Sequence, residues 1–345
     1  MGKQASKPDV VRVGLIGYGY WGPNLLRNVN DAPGVECVMV ADRDPARLEV
    51  VKSRYPSIET TTDVDHLLGH ASIDAVLIAT PVSTHHRLAR QAMGAGKHVL
   101  VEKPMTASAE EAEELAAFAR TNGRVLMVDH VFVYSPPVRK MKEILDSGEL
   151  GELLFIDSVR INLGLIQTDV NVVWDLAPHD LSIADFLLGR LPRSVAAFGS
   201  VHAREGLEDV AYLTLDYGSG LIANFHVNWL SPVKVRYTML GGSKKSLIYN
   251  DLDPSEKIKV YDRGITVKMD DPEGRRQLLI SYRSGDVWSP HVPQNEPLRE
   301  VVLHFADCIR QGKTPVTDGE AGLRVVRILD AAQRSIKAQG GRISL

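Results

Sequence analysis

Five short apolar runs, separated by segments with helical patterns, occupy the first 130 residues of this chain. The runs are rich in Val, Ile and Leu, and they cover Val11–Gly17, Val35–Asp42, Ala75–Thr80, His98–Lys103 and Val125–His130. The candidate helices between them cover Pro23–Asn30, Pro45–Arg54, His85–Met93 and Ala109–Arg120, the last with Ser108 as N-cap. Apolar strands that alternate with helices are typical of a parallel sheet covered on both faces. The pattern therefore predicts a doubly wound α/β domain over residues 1–130.

After about residue 131 the pattern changes from alternating strands and helices to successive strands. The extended segments are Leu153–Asn162, Ser194–His202, Val210–Tyr217, Leu221–Trp229, Val235–Leu240 and Lys257–Tyr261. The sequence from Tyr217 to Gly220 has the composition of a hairpin turn. The candidate helices cover Asp175–Leu188, Pro297–Gln311 and Glu320–Ala338, and the last two are candidates for packing back on the first domain. We therefore predict an α+β domain with a mainly antiparallel, open sheet over residues 131–345.

The composition restricts the classes of protein to which this chain can belong. Hydrophobic residues make up 44% and charged residues 24% of its 345 residues, which is usual for a folded globular protein. A formal net charge of -3 provides no basic surface for nucleic acid. Two cysteines, Cys37 and Cys308, make no disulfide framework, and no apolar stretch approaches the roughly 20 residues of a membrane span. We expect a cytoplasmic protein that binds neither nucleic acid nor a membrane.

A glycine-rich turn follows the first apolar run directly. Residues Gly17, Tyr18, Gly19, Tyr20, Trp21 and Gly22 match the pattern GxGxxG. In this pattern the first glycine makes a tight turn, the second lets the backbone approach a pyrophosphate, and the third permits close helix packing. The helix that follows would present free N–H groups and the positive end of its dipole to the phosphates. The pattern is weak alone, but its position between a buried run and a helix predicts a dinucleotide site.

An acidic residue stands where the ribose of the dinucleotide would lie. Asp42 ends the second run, twenty residues after Gly22, where a carboxylate can accept hydrogen bonds from both ribose hydroxyls of the adenosine. The charge of Asp42 favours NAD, because it would repel the 2′-phosphate of NADP. Arg43 leaves NADP open, since its guanidinium could stack on the adenine or pair with a 2′-phosphate.

The His98–Lys103 run ends in a charged pair, Glu102 and Lys103, which Pro104 follows. Open α/β sheets bind ligands beyond the carboxyl ends of their strands. Lys103 is therefore predicted near the nicotinamide and Glu102 at the nicotinamide ribose. The alternative, which is more common for a lysine at a strand end, is that Lys103 is simply solvated.

Four motifs in this order resemble those of the Gfo/Idh/MocA oxidoreductases. They are GYGYWG at 17–22, ATPVSTHH at 79–86, VEKP at 101–104 and WDLAPHD at 174–180. The resemblance covers nearly the whole chain. It implies a Rossmann domain, followed by an α/β domain whose open sheet forms the contact of a homo-oligomer. The WDLAPHD form is similar to members that act on nucleotide-linked sugars.

The resemblance also implies which residues form the site. The catalytic set is Lys103, Asp175 and His179. The set that lines the cofactor is Thr80, Pro81, His85 and Glu102. The sequence departs from many relatives at Ala177 and Pro178, where they have glycine.

These side chains suit the oxidation of a secondary alcohol, in which the hydroxyl proton is removed while a hydride leaves the same carbon. His179 can take the proton, since histidine titrates near neutral pH. Lys103 would stabilise the alkoxide by its charge and share the proton transfer. Asp175, one helical turn before His179, would bind a substrate hydroxyl or orient the imidazole. Together with these roles, the resemblance implies an NAD(P)-dependent dehydrogenase acting on C3 of a nucleotide-linked sugar such as UDP-N-acetylglucosamine or its uronate.

Other polar residues are candidate substrate contacts, although each is as easily a surface or core residue. They are Tyr134, Arg160, Asn162 and Asn171. We predict no metal site. The alternatives to the predicted reaction are dehydrogenation of an inositol or a free hexose, an NAD-dependent glycosidase that oxidises C3 transiently, and a non-catalytic regulator that senses a dinucleotide.

Overall fold

The computed structural model describes residues 10–164, 166–268 and 279–345. These residues form two compact units, each with its own sheet. The first unit contains the described residues up to Ser135 together with Asn295–Asp330, and the second contains those of Pro136–Gln294 together with Ala331–Leu345. Within this described part of the chain, no helix is long and apolar enough to cross a membrane.

A six-stranded parallel sheet forms the centre of the first unit. Its elements in chain order are β1 (Val11–Ile16), α1 (Gly22–Asp31), β2 (Val35–Ala41), α2 (Pro45–Arg54), β3 (Glu59–Thr61), α3 (Val64–Gly69), β4 (Ala75–Ile78), α4 (His85–Gly94), β5 (His98–Glu102), α5 (Ala109–Thr121) and β6 (Leu126–Asp129). The strand order is β3-β2-β1-β4-β5-β6, and the order reverses between β1 and β4. The predicted doubly wound sheet is confirmed. Its ligand crevice is expected beyond the carboxyl ends of the strands, at this point of reversal.

The sequence patterns miss β3 and α3. Strand β3 has three residues, all polar, and it pairs with β2 at the edge of the sheet. Helix α3 has six residues and begins after Asp63, whose carboxylate accepts a hydrogen bond from the Asp65 amide at 2.9 Å. An edge strand needs no apolar run, and a helix of fewer than two turns shows no clear period.

The second unit begins with a helix and continues mainly with strands. Its elements are α6 (Pro136–Asp146), β7 (Leu153–Leu163), α7 (Val172–Leu188), β8 (Ser194–Ser200), β9 (Val210–Gly218), β10 (Leu221–Asn228), β11 (Leu230–Gly242), β12 (Ser246–Asn250), β13 (Ile258–Lys268) and β14 (Leu279–Trp288). Strands β9 and β10 form the predicted hairpin, in which Gly218, Ser219 and Gly220 all have positive φ. The sequence patterns miss β12 and β14.

Two helices and a short strand complete the described chain: α8 (Pro297–Gln311), α9 (Gly319–Lys337) and β15 (Ile343–Ser344). Strand β15 is one edge strand of a nine-stranded sheet of order β14-β13-β12-β11-β7-β10-β9-β8-β15. Strands β10 and β7 pair in parallel, and the other pairs in this sheet are antiparallel. The predicted mainly antiparallel sheet is confirmed. Helix α7 packs on it.

Helix α8 belongs to the first unit, where it packs against α1 and the short 3-10 turn Val131–Tyr134. Its side chains Val301, Val302 and Phe305 are buried. The segment after α8 covers the edge of β6, because the Val128 amide donates to the Thr317 carbonyl at 2.8 Å and the Thr317 hydroxyl donates to the Val128 carbonyl at 2.7 Å. The first unit is therefore completed by residues far along the chain.

Candidate functional site

The glycine-rich turn connects β1 to α1 as the sequence predicts. Gly17 has φ of +96°, and a Cβ there would lie 2.4 Å from the Ala79 carbonyl oxygen. A Cβ on Gly22 would lie 2.3 Å from the Gly17 carbonyl oxygen. Neither position can hold a side chain, because the clashing atoms belong to the backbone. The first and third glycines are thus required by the turn itself.

The middle glycine has a different surrounding. A Cβ on Gly19 would meet only the Arg47 guanidinium, at 3.3 Å from Nη1. No backbone fills this space, so the chain leaves a cradle that a ligand can approach. Helix α1 begins at Gly22 with Pro23 in its first turn, and the amides at a helix start have no partner inside the helix. The turn therefore fits a diphosphate, with Tyr20 largely exposed and Trp21 stacked beside it at 6.0 Å between ring centroids.

Asp42 is buried at the end of β2 and holds the glycine turn in place. One carboxylate oxygen, Oδ2, accepts a hydrogen bond from the Tyr18 amide at 2.7 Å, and the other accepts one from the Asp44 amide at 2.9 Å. The Arg47 guanidinium lies 3.4 Å from Oδ2. Asp42 thus joins the loop after β2 to the loop after β1, which is the place expected for a ribose contact.

Arg47 is a residue of this region that the sequence reasoning misses. Arg43, the predicted adenine or phosphate contact, is exposed. Arg47 instead brings its guanidinium to both Asp42 and the open space at Gly19. The spacing could have indicated it, since Arg47 lies in the first turn of the helix that follows Asp42.

His85 is buried and links two loops of the first unit. Its Nδ1 lies 2.9 Å from the Pro104 carbonyl oxygen, and its Nε2 lies 2.8 Å from the Thr80 carbonyl oxygen. Burial lowers the pKa of His85, against the opposing effect of these hydrogen bonds. The ring therefore fixes the loop after β4 to the loop after β5. Thr80 is half-buried and Pro81 is exposed.

The end of β5 carries the predicted charged pair. Glu102 is buried, and its Oε2 accepts a hydrogen bond from the Lys103 amide at 3.2 Å. Lys103 is partly exposed, and the Lys103–Pro104 peptide is cis. Burial and the Asp129 carboxyl group raise the pKa of Glu102 well above its ordinary value. A buried acid thus stands directly before the candidate catalytic lysine.

The sequence reasoning also misses Asp129, which ends β6 beside this pair, and His130, which follows it. Asp129 is the register partner of Glu102 in the parallel sheet. Both Asp129 and His130 are buried. Burial raises the pKa of Asp129 to about 6, and burial and the charge of Lys103 lower the pKa of His130 to about 3. The apolar run that contains them predicts the strand but gives no sign that its last two residues face polar neighbours.

In the second unit, helix α7 carries the other two predicted catalytic residues. Asp175 and His179 lie four positions apart, so they share one face of the helix, and both are partly exposed. The indole nitrogen of Trp229 donates to Asp175 Oδ2 at 3.1 Å. Pro178 lies inside the helix and cannot donate a backbone hydrogen bond. Asp175 is therefore held by β10–β11, while its carboxylate remains partly accessible.

Three of the predicted substrate contacts have clear structural partners. Arg160 is buried and forms two hydrogen bonds to Asp180, at 2.6 and 3.0 Å. Asn171 caps α7 by accepting from the Trp174 amide at 3.1 Å. The Tyr134 hydroxyl, in the first unit, lies 3.0 Å from Thr317 Oγ1. These three side chains thus have partners within the fold, and their contacts with a substrate stay predictions.

Asn162 differs from these three residues. It is half-buried near the end of β7, and its side-chain oxygen is buried with no hydrogen-bond partner among the described residues. It stays a candidate polar contact of the second unit. Elsewhere in the described ranges, no group of three His, Cys, Asp or Glu side chains is arranged to hold a metal ion.

Two family matches follow the two parts of the chain. Residues 11–130 match the oxidoreductase family with an NAD-binding Rossmann fold, and residues 138–248 match the Gfo/Idh/MocA C-terminal domain. The oxidoreductase YdgJ of Escherichia coli (strain K12) is 32% identical over 95% of this chain and 97% of its own length. This chain is a Gfo/Idh/MocA oxidoreductase. The family that the motifs indicate is thus confirmed, and the glycine turn of this oxidoreductase lies within its NAD-binding Rossmann domain.

Other relatives of this oxidoreductase carry more specific names. The scyllo-inositol 2-dehydrogenase (NADP(+)) IolW of Bacillus subtilis (strain 168) is 28% identical over 97% of this chain and 96% of its own. The solved structure of UDP-N-acetylglucosamine 3-dehydrogenase GnnA from Acidithiobacillus ferrooxidans has a TM-score of 0.78 and 25% identity, covering 95% of this chain and 97% of that one.

Proposed function

We propose that this oxidoreductase transfers a hydride between NAD and C3 of a nucleotide-linked sugar, such as UDP-N-acetylglucosamine or its uronate. The structural similarity to GnnA, which is a UDP-N-acetylglucosamine 3-dehydrogenase, supports the substrate class. A dTDP-3,4-didehydro-2,6-dideoxy-alpha-D-glucose 3-reductase of Saccharopolyspora spinosa is 27% identical over 92% of this chain, which also supports it.

One observation carries the proposal. Lys103 follows a buried carboxyl group at the end of β5, in the same sheet whose β1 end leads into the glycine turn. A partly exposed lysine at the carboxyl ends of these strands is suited to polarise a substrate hydroxyl beside a bound dinucleotide. The Asp42 carboxylate at the end of β2 supports NAD over NADP.

The chain's own residues would divide the chemistry as follows. Bound NAD would accept the hydride from the alcohol carbon. Lys103 would stabilise the negative charge that develops on the alcohol oxygen. His179 would take the hydroxyl proton on an imidazole nitrogen and return it in the reverse direction. Asp175 would bind a neighbouring hydroxyl or orient the imidazole.

The reaction is tested by following NADH and NADPH appearance with purified protein. The substrates are UDP-N-acetylglucosamine, its uronate, other UDP-sugars, free hexoses and inositols, at several pH values. We expect UDP-linked sugars to give the highest kcat/KM, with NAD preferred. A preference for free hexoses or inositols by tenfold or more would contradict the substrate class while leaving the dehydrogenase intact.

Two variants test the residue roles with the best substrate. We expect Lys103→Ala and His179→Ala each to lower kcat by 10² or more, as is usual for loss of a general acid–base group. The controls are Lys52→Ala and His66→Ala, which change exposed residues of the first unit and should leave kcat unchanged. Full activity in both test variants, with unchanged circular dichroism, would overturn the mechanism.

A second candidate is dehydrogenation of an inositol. Two similarities favour it. One is the similarity to IolW, and the other is to the scyllo-inositol 2-dehydrogenase (NAD(+)) of Bacillus subtilis, which is 26% identical over 92% of this chain. A cyclic polyol presents ring hydroxyls much as a sugar does, so the same lysine and histidine could serve. The inositols in the substrate panel separate the two candidates.

We also propose that the open sheet of the second unit forms the contact of a homo-oligomer. Its side chains Phe198, Tyr212 and Ile222 are exposed. Phe198 and Tyr212 are direct register partners in neighbouring strands, so they form a continuous apolar patch of the kind that marks protein contacts. Sedimentation at the mass of one chain would refute this proposal.

A further inference from the structure

Two buried acids lie side by side at the carboxyl end of the first unit's sheet. Glu102 ends β5 and Asp129 ends β6, and the two residues are direct register partners in a parallel pair. They are 5% and 2% exposed. Two ionised carboxylates this deeply buried and this close together are unfavourable, since burial penalises each charge and the charges repel each other.

Most of the carboxylate oxygens of the two acids accept no hydrogen bond from the described residues. The Lys103 amide donates to Glu102 Oε2 at 3.2 Å. Glu102 Oε1 and both Asp129 oxygens are buried with no hydrogen-bond partner among the described residues. A carboxylate can only accept, so two facing carboxyl groups can bond to each other only through a proton of their own.

Lys103 is a charged residue that acts on both acids. Glu102 is affected by Asp129 and Lys103, and Asp129 is affected by Glu102 and Lys103. His130, next to Asp129, is fully buried, and its pKa of about 3 keeps it neutral near pH 7. Two ionised acids with one lysine would leave a net negative charge in a buried site. One shared proton makes the total charge of the three groups zero.

We propose that Asp129 and Glu102 share one proton at neutral pH, and that Asp129 is thereby a positioning residue that holds Glu102 for the dinucleotide and beside Lys103. The bond is a protonated carboxyl group of one acid donating to a carboxylate oxygen of the other. The pair then titrates as a unit. The importance of Glu102 for the reaction rests on the proposed function, whereas the shared proton does not.

Infrared difference spectroscopy of the full-length protein without substrate detects the proton directly. At pH 7 we expect the wild type to show the carbonyl stretch of a protonated carboxylic acid, shifted in D₂O. Asp129→Asn and Glu102→Gln should each remove this band, because the amide N–H then replaces the shared proton. Asp209→Asn is the control, since Asp209 is buried but its pKa is lowered, mainly by hydrogen bonds with His202 and Ala203.

A pair of substitutions at Asp129 tests the positioning role through the affinity for NAD, measured by fluorescence titration. Asp129→Asn keeps a donor for Glu102, so we expect its Kd for NAD to stay within threefold of the wild type. Asp129→Leu has similar size but no donor, so we expect at least tenfold weaker binding. Thermal melting of both variants checks that each is folded.

The outcomes separate the proposal from the proposed function. Absence of the carboxylic acid band in the wild type overturns the shared proton. Equal Kd values for D129N and D129L, whether weak or unchanged, overturn the positioning role. Neither measurement uses a sugar, so failure of every substrate in the panel would contradict the proposed reaction and leave this inference standing.

Discussion

Single residues at the carboxyl ends of the first unit's strands do most to define its site. Asp42 directly follows β2, whereas Glu102 and Asp129 end β5 and β6, and all three are buried acids. Each is stabilised differently. Asp42 accepts two backbone hydrogen bonds, Glu102 accepts one, and Asp129 depends on its neighbour. The same chemical group is therefore held by different contacts in each place, and we propose a ribose contact for Asp42 and a shared proton for Glu102 and Asp129.

The lowered pKa of His130 makes the stability of the protein depend on pH. Its pKa falls from 6.5 to about 3 on folding, so between these values the unfolded chain binds one more proton than the native one. Stability attributable to His130 is therefore lost as pH falls below about 6.5, by up to about 1.4 kcal/mol per pH unit. We expect His130→Phe to lose stability less steeply than the wild type between pH 6 and pH 5, measured by urea unfolding.

The control for this measurement is His66→Phe, which changes an exposed histidine. Its stability should change with pH in parallel with that of the wild type. The raised pKa of Asp129 acts in the opposite direction, adding stability that is lost as pH rises through about 6. The contribution of Asp129 is expected in the wild type and in His130→Phe alike, so it cancels when their stabilities are compared. Parallel curves for His130→Phe and the wild type would contradict the prediction.

At the scale of elements, several helices begin after a side chain that accepts a hydrogen bond from one of their first amides. Ser108 caps α5 by accepting from the Glu111 amide at 3.2 Å. Asn171 caps α7 and also donates to Glu208 and Gln333, at 2.5 and 2.6 Å. Asn171 therefore connects α7, which carries the candidate catalytic residues Asp175 and His179, to Glu208 and Gln333.

The two caps give a matched pair of variants. We expect Ser108→Ala to cost about 1 kcal/mol and leave kcat unchanged, as is usual for loss of an N-cap. Asn171→Ala should cost about 2 kcal/mol, since two further hydrogen bonds are lost, and should also lower kcat because Asp175 and His179 lie on the same helix. Chemical denaturation and steady-state kinetics measure both effects. An unchanged kcat in Asn171→Ala would show that the cap does not position these residues.

At the scale of the whole molecule, the first unit is assembled from distant parts of the chain. Residues 295–330 supply α8, with buried Val301, Val302 and Phe305, and the segment at Thr317 that covers β6. Burial of each large apolar side chain is worth about 1.5–3 kcal/mol. The family match that ends at residue 130 therefore contains the sheet but lacks part of its core.

This arrangement predicts how fragments behave. We expect residues 1–135 alone to show no cooperative thermal transition, because the surface beneath α8 is exposed. Residues 1–135 joined to 295–330 by a flexible linker should melt cooperatively and bind NAD. Scanning calorimetry and NAD titration compare the two fragments. Equal cooperativity and affinity in both would mean that α8 is dispensable.

The sequence alone determined the fold class, the family and the positions of the glycine turn, Asp42 and the Glu102–Lys103 pair. These features are local: a strand needs an apolar run, a tight turn needs glycine, and a cap needs a polar side chain at one position. Short elements such as the polar strand β3 and the six-residue helix α3 were not predicted, because their stability comes from neighbouring elements and not from a pattern in their own sequence.

The tertiary structure was needed to show which partners the polar residues have within the fold. Arg160, Asn171 and Tyr134 have the chemistry of ligand contacts, and they also have partners remote in the chain: Asp180, the pair Glu208 and Gln333, and Thr317. Conversely, Asp129 looked like the end of an apolar strand until the parallel register placed it against Glu102. Burial and pairing depend on contacts between segments remote in the chain, and a linear pattern does not record them.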